Sequence, residues 1–134
     1  MYDLRDLSLV CKYKGFSNST VHIKASLSHD DSFIISGSKN KCTYIWRTNY
    51  NFSMLNSGRR DRNALWERLQ AHNAIVTCAM FHPKPHLILN QIYNHAPNSR
   101  TKQTEKKNYN GVHVFASAAG CDGLIKIFVN KLNL

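Results

Sequence analysis

The residues whose types suggest chemistry are His72 and Asp122, which together look like a catalytic histidine–carboxylate pair. An enzyme would also need a nucleophile beside its base, paired carboxylates or a metal cluster in a cleft. The sequence contains no GxSxG, P-loop or HExxH motif, and its seven histidines are scattered. The group His29-Asp30-Asp31 is typical of a turn held by local hydrogen bonds. We therefore predict that the protein is not an enzyme.

The four cysteines give no sign of a metal site. A structural zinc site uses closely spaced ligands, and the sequence has no C-x-x-C pair. Each cysteine lies in or beside an apolar stretch, which is typical of a buried free thiol. We expect no metal and no cofactor. These cysteines are Cys11, Cys42, Cys78 and Cys121.

The chain is strongly basic, with a formal net charge of +10 and a pI of about 9.7. Much of this charge lies in two segments that look like loops, and solvated loop charge is its simplest interpretation. A protein partner with acidic patches would be steered to these loops. A nucleic acid or an anionic membrane is the alternative partner. The candidate partner-binding residues are Arg59, Arg60, Arg62, Lys102, Lys106 and Lys107.

The sequence nearly repeats itself. Residues 36–46 and 118–128 align without a gap: each has small residues, a tight polar turn, and a strand that ends in isoleucine and an aromatic residue. Self-similar strand–turn–strand units indicate a repeat architecture, in which each unit buries its apolar faces against its neighbours.

Short apolar runs between tight turns predict an all-β antiparallel meander rather than a βαβ unit. Two long insertions interrupt the meander, at 48–70 and at about 90–111. The second is polar and predicts a disordered or mobile loop. Within the first, residues 64–69 fit either a short helix or part of an outer strand, and the sequence leaves both open. The predicted strands are 7–13, 21–27, 33–35, 42–46, 75–81, 112–119 and 124–129, with a further apolar run at 87–89.

Several motifs resemble those of the WD40-repeat propeller family. Ser36-Gly37-Ser38, a turn and a strand ending in Ile45-Trp46 resemble the second and third strands of a WD40 blade. Ala71-His72 followed by Phe81-His82-Pro83 resembles the opening of another blade. The resemblance implies an incomplete β-propeller of about two and a half antiparallel blades. Its parts are the end of a preceding blade (1–16), a blade with the arginine-rich insertion (17–70) and a blade that has the polar insertion and lacks its outer strand (71–134).

The resemblance also implies structural roles for polar residues of both units. In such blades a histidine, an aspartate, a hydroxyl and a tryptophan form a buried network that fixes one blade against the next. The second unit has His72 and Asp122, but Ala118 and Phe128 stand at the hydroxyl and tryptophan positions. We therefore predict a tether for the His72–Asp122 pair, and two incomplete networks. The corresponding residues of the first unit are Asn18, Ser36, Asn40 and Trp46.

The arginine-rich insertion, residues 59–63, is the most specific part of the resemblance, since ordinary blades lack it. It is similar to a WD-repeat family that is cytosolic, works in vesicle traffic on recycling endosomes and binds a Rab-type small GTPase. The GTPase-binding segments of that family lie upstream of its propeller and have no match here. The resemblance therefore implies a cytoplasmic interaction scaffold, peripheral on endosomes, and no apolar run is long enough for a transmembrane helix. Since a propeller closes with about four to eight blades, we expect a fragment of a longer protein or self-assembly.

Overall fold

The computed structural model describes residues 1–9, 11–48, 65–94 and 113–129. Within these ranges the chain forms two antiparallel sheets and one helix, which confirms the predicted mainly β fold. The first sheet contains, in spatial order, β1 (Ala25–Leu27), β2 (Phe33–Ser36), β3 (Thr43–Arg47) and β4 (Leu65–Leu69). The second contains β5 (Val76–Phe81), β6 (Val114–Ala119) and β7 (Leu124–Val129). Helix α1 (Pro85–Asn94) follows β5 in the sequence and precedes β6.

The first sheet is covered on both faces. Its β3 strand is buried from Thr43 to Trp46, which suits a run rich in β-branched and aromatic residues. One face, with Ile35 and Ile45, packs against Ala79, Phe81 and Phe115 of the second sheet. The core of the protein therefore lies between the two sheets.

The opposite face of the first sheet is covered by the N-terminal segment. The rings of Tyr13 and Phe16 lie about the Trp46 indole, at centroid distances of 6.0 and 5.9 Å, and Tyr44 stacks on it at 5.7 Å. The segment itself turns back on its start, where the N-terminal amino group donates to the Cys11 carbonyl. The described residues of the predicted strand 7–13 form one isolated bridge, between Leu9 and Tyr2, and no longer ladder.

The two sheets approach each other closely at Gly37. A Cβ atom at this position would lie 2.2 Å from the Val76 carbonyl oxygen, so the position has no room for a side chain. Beside it, the Val76 N–H donates to the Ser38 carbonyl at 3.1 Å, and the Lys24 N–H donates to the Thr77 carbonyl at 3.1 Å. The small residues of the predicted turn thus allow backbone bonds between the sheets.

Residues 65–69 form the outer strand of the first sheet, so the helix alternative for 64–69 is wrong. β4 pairs antiparallel with β3, from Thr43–Leu69 to Trp46–Leu65. A short run of residues fits both the helical and the strand periodicity, and here hydrogen bonding to the edge of β3 makes residues 65–69 a strand.

A helix occupies the region predicted as a turn followed by a short apolar run. Pro85 begins α1, where its fixed φ favours the first helical position. Pro85 and Leu89 lie one turn apart on the same side, and both are buried. The predicted start of the polar insertion, near residue 90, therefore falls inside the helix, and residues 95–112 lie outside the described ranges. Among the described residues, no helix has both the length and the hydropathy needed to cross a membrane.

The cysteines differ in their burial. Cys11 and Cys42 are buried, as predicted, although neither lies in a strand, and Cys78 of β5 is half-buried. Cys121 is exposed in the turn between β6 and β7, so the prediction of a buried thiol is wrong there. None of the four cysteines forms a disulfide.

Candidate functional site

Three polar side chains of the second sheet meet at one end of that sheet. His72 precedes β5, Ser117 lies in β6, and Asp122 lies in the β6–β7 turn. The Nδ1 atom of His72 is 2.8 Å from Asp122 Oδ2, and its Nε2 atom is 2.9 Å from Ser117 Oγ. The order of these atoms is that of a Ser–His–Asp triad.

Burial distinguishes this cluster from an active site. His72 and Ser117 are each 1% exposed, so a substrate has no path to the serine hydroxyl. Two further hydrogen bonds hold the cluster in place: the His72 N–H donates to the carbonyl of Lys41 in the turn between β2 and β3, and Lys126 Nζ donates to the Ala71 carbonyl. The geometry therefore supports the predicted tether over catalysis.

The serine in this cluster corrects the sequence alignment. Ser36 pairs with Tyr44 in the first sheet, and Ser117 pairs with Lys126 in the second. Ser117 rather than Ala118 is thus the counterpart of Ser36, because the second hairpin is one residue longer. The prediction that the second network lacks its hydroxyl is wrong.

The hydrogen bonds that Asp122 accepts affect the ionisation of its carboxyl group. The Leu124 N–H donates to Asp122 Oδ1 at 3.0 Å, and this bond lowers the pKa of the Asp122 carboxyl. Burial raises the pKa by a smaller amount, and the bond with His72 lowers it further. An ionised carboxylate accepts hydrogen bonds, so His72 Nδ1 donates to Asp122, while His72 Nε2 lies 2.9 Å from the Ser117 hydroxyl and 3.2 Å from the Ser117 carbonyl oxygen.

The four residues proposed for the first network do not bond to one another. The Trp46 indole donates to the Lys14 carbonyl at 3.0 Å, and Ser36 Oγ donates to the Gly37 carbonyl at 3.1 Å. Asn40 Nδ2 donates to the Tyr44 hydroxyl at 2.7 Å. Asn18 is exposed and lines an open surface cavity of about 310 Å³. The bonds of Ser36, Asn40 and Trp46 therefore lie in separate places, unlike the compact cluster around His72.

Among the described residues, one face of the second sheet is apolar, and its largest side chains are exposed. Met80 of β5 pairs with Ala116 of β6, which pairs with Ile127 of β7, so the three side chains cross the sheet in one row. A neighbouring row contains Cys78, Ala118 and Ile125. Met80, Ile125 and Ile127 are 55%, 75% and 65% exposed, although the opposite face is packed on the first sheet. We call these two rows the open face.

The predicted partner-binding residues of the two basic segments lie outside the described residues. The open face, by contrast, was not singled out from the sequence. Its signal was present in the alternation of β7, where Ile125 and Ile127 fall on one side and Lys126 and Phe128 on the other. The basic residues that lie outside the described ranges are Arg59, Arg60, Arg62, Lys102, Lys106 and Lys107.

Comparison with known proteins agrees with this two-sheet arrangement. Residues 8–47 match the family model described as WD domain, G-beta repeat. Shorter similarities join the chain to the Denticleless protein homolog of Mus musculus, 50% identical over 40 residues, and to Protein lethal(2)denticleless of Drosophila melanogaster, 45% identical over 42 residues. Each covers about a third of this chain, 30% and 31%, and 6% and 5% of those proteins. Residues 8–47 therefore match a WD40 repeat, and the two sheets are consistent with part of a WD40 propeller.

A longer similarity narrows the relationship. The chain is 44% identical over 142 aligned positions to WD repeat-containing protein 44 of Xenopus laevis. The match covers 98% of this chain and 15% of that protein, so the chain spans about a seventh of the length of this relative. WD40 repeats are in general non-catalytic and mediate protein interactions, which agrees with the absence of catalytic motifs noted above.

Proposed function

We propose that this chain is a non-catalytic protein-interaction scaffold, and that it serves within a Rab GTPase effector of endosomal recycling, as its resemblance implies. The observation that carries the scaffold role is the open face of the second sheet. Its most exposed side chains are aliphatic, and a contiguous apolar surface of this kind favours an interaction site.

The repeat itself suggests what covers the open face. Through the strand registers, Ala116 and Ile127 are the counterparts of Ile35 and Ile45 in the first sheet. Ile35 and Ile45 are the residues through which the first sheet packs on the second. The open face is therefore equivalent to an interface that is already formed once within this chain.

The proposed partner is another antiparallel sheet that presents aliphatic and aromatic side chains. The second sheet presents such a surface to the first, with Ala79, Phe81 and Phe115. Full burial of an exposed isoleucine contributes about 1.5–3 kcal/mol, and the two open-face isoleucines are already partly covered. Their burial would then contribute about 1–2 kcal/mol each, which is enough to favour one docking geometry.

The basic segments give the scaffold a second proposed contact. Their charge would steer acidic proteins to this chain, with Arg59, Arg60 and Arg62 in the first segment. Binding to single-stranded nucleic acid or to anionic vesicles is the alternative, and it would weaken steeply with added salt. Reversing the three arginine charges is expected to weaken capture of an acidic protein partner, and unchanged capture would contradict this contact.

Site-specific photo-cross-linking tests the proposed use of the open face. A photoreactive phenylalanine derivative replaces Ile127 in the protein expressed in its own cells, and a second variant carries it at Lys84, an exposed polar position. We expect the probe at 127 to cross-link to an apolar strand of another WD40-type sheet, identified by mass spectrometry. Cross-linking at 127 no greater than at 84 would contradict the proposal.

A further inference from the structure

A cluster of His29, Asp30 and His113 joins the two sheets. His29 and Asp30 lie in the turn between β1 and β2, and His113 directly precedes β6. Each residue offers one metal-ligating atom, and these atoms all lie within 4.8 Å of one another. The turn role assigned to His29-Asp30-Asp31 from the sequence does not account for the approach of a histidine from the second sheet.

The distances in this cluster are close to those of a metal site. His113 Nε2 lies 3.3 Å from Asp30 Oδ1, and the His29 and His113 rings have centroids 5.4 Å apart. In a tetrahedral zinc site with bonds of about 2.0–2.1 Å, neighbouring ligand atoms are about 3.3 Å apart. The Asp30–His113 pair already has this separation, and the exposed His29 side chain is free to rotate toward it.

The side chains of Asp30 and His113 are both held in place by neighbouring groups. Asp30 Oδ1 accepts hydrogen bonds from Ser28 Oγ at 2.6 Å and from the Ser32 N–H at 3.2 Å. His113 is 6% exposed and lies against the rings of Phe33 and Phe81, at centroid distances of 4.8 and 5.7 Å. Groups of this kind orient metal ligands and limit the access of water.

The chemistry of the donors selects a class of cation. Two imidazoles and one carboxylate suit Zn²⁺ and similar first-row ions, whereas Ca²⁺ requires six or more oxygen ligands.

We propose that His29, Asp30 and His113 form a three-ligand site for Zn²⁺ or a similar transition-metal ion, with an open fourth position. Such an ion would connect residues 83 positions apart, across the boundary between the sheets. Because a site of this kind forms only in the folded chain, metal binding would stabilise the packing of one sheet on the other.

Metal titration of the whole chain tests this site. The protein is stripped with a chelator, its thiols are blocked so that the exposed Cys121 does not compete, and ZnCl₂ is added in a calorimeter. We expect one Zn²⁺ per chain and a higher melting temperature with metal. With Co²⁺, we expect the visible absorption of a tetrahedral ion with nitrogen and oxygen ligands.

Two matched variants decide the outcome. His29→Ala removes an exposed ligand without opening the core, and it is expected to weaken Zn²⁺ binding at least about tenfold. His86→Ala removes an exposed histidine of α1 and is expected to leave binding unchanged. Equal affinities of the two variants, or no zinc-dependent rise in the wild-type melting temperature, would overturn the proposal. The buried His113 is avoided because its removal alone would disturb folding.

Discussion

Replacing His72 by alanine tests the tether between the β5 entry and the β6–β7 hairpin. The change leaves the buried Ser117 hydroxyl without its 2.9 Å partner, and an unpaired buried hydroxyl costs about 1–3 kcal/mol. It also removes the bond to the partly exposed Asp122 carboxylate, at about 1 kcal/mol. The void left by a fully buried imidazole adds about 1 kcal/mol. We expect His72→Ala to lower the free energy of unfolding by about 3–5 kcal/mol in total.

Urea and thermal unfolding measure this effect. A loss of about 3 kcal/mol corresponds to a fall in melting temperature of about 10 °C for a chain of this size. Ser117→Ala alone is expected to cost about 1–2 kcal/mol, and the double variant less than the sum of the two, because both changes remove the same bond. His86→Ala, at an exposed position of α1, is the matched control. If His72→Ala destabilises the protein no more than His86→Ala does, the tether is refuted.

Two further predictions concern the contact between the sheets at Gly37 and the dependence of stability on acid pH. Gly37→Ala is expected to cost about 1–3 kcal/mol, because its Cβ would lie 2.2 Å from the Val76 oxygen, whereas Gly120→Ala, with no atom within 4 Å, should be nearly neutral in the same unfolding assay. Equal effects would contradict the close approach of the sheets. The pKa of Asp122 is lower in the folded protein than in the unfolded chain. Its ionised carboxylate therefore adds to the free energy of unfolding above the unfolded-state pKa of about 3.9, and this contribution is lost as the pH falls below that value. Asp122→Asn should thus be less stable than Asp31→Asn at pH 7, by a margin that shrinks toward pH 3, and a pH-independent margin would contradict the ionised tether.

The strands β2, β3 and β5–β7 were predictable from the sequence, because each is a short apolar run between turn residues. The sequence did not decide the secondary structure of residues 65–69, since five residues fit either a helical or a strand periodicity. Pairing with β3 makes them a strand. Helix α1 was missed because Pro83 and Pro85 indicate a turn, although a proline also suits the first position of a helix.

Side-chain clusters were predictable to a smaller extent. The association of His72 with Asp122 came from the resemblance, since 50 residues separate them and spacing carries no signal over that distance. Ser117 was missed because a run of serine and alanine hides the extra residue of its hairpin. The approach of His113 to Asp30 depends on how the two sheets pack, which no local pattern specifies.

The central claim is that the open face is covered in the native protein, as the equivalent face of the first sheet is. Gel filtration of a non-denatured extract of the source cells, followed by immunoblotting with an antibody against residues 98–110, tests it most directly. The account predicts that the signal elutes well above the 15.3 kDa of this chain, as one longer polypeptide or as an assembly. Elution as a 15.3 kDa monomer would contradict it, because the two exposed isoleucines of β7 would then face water.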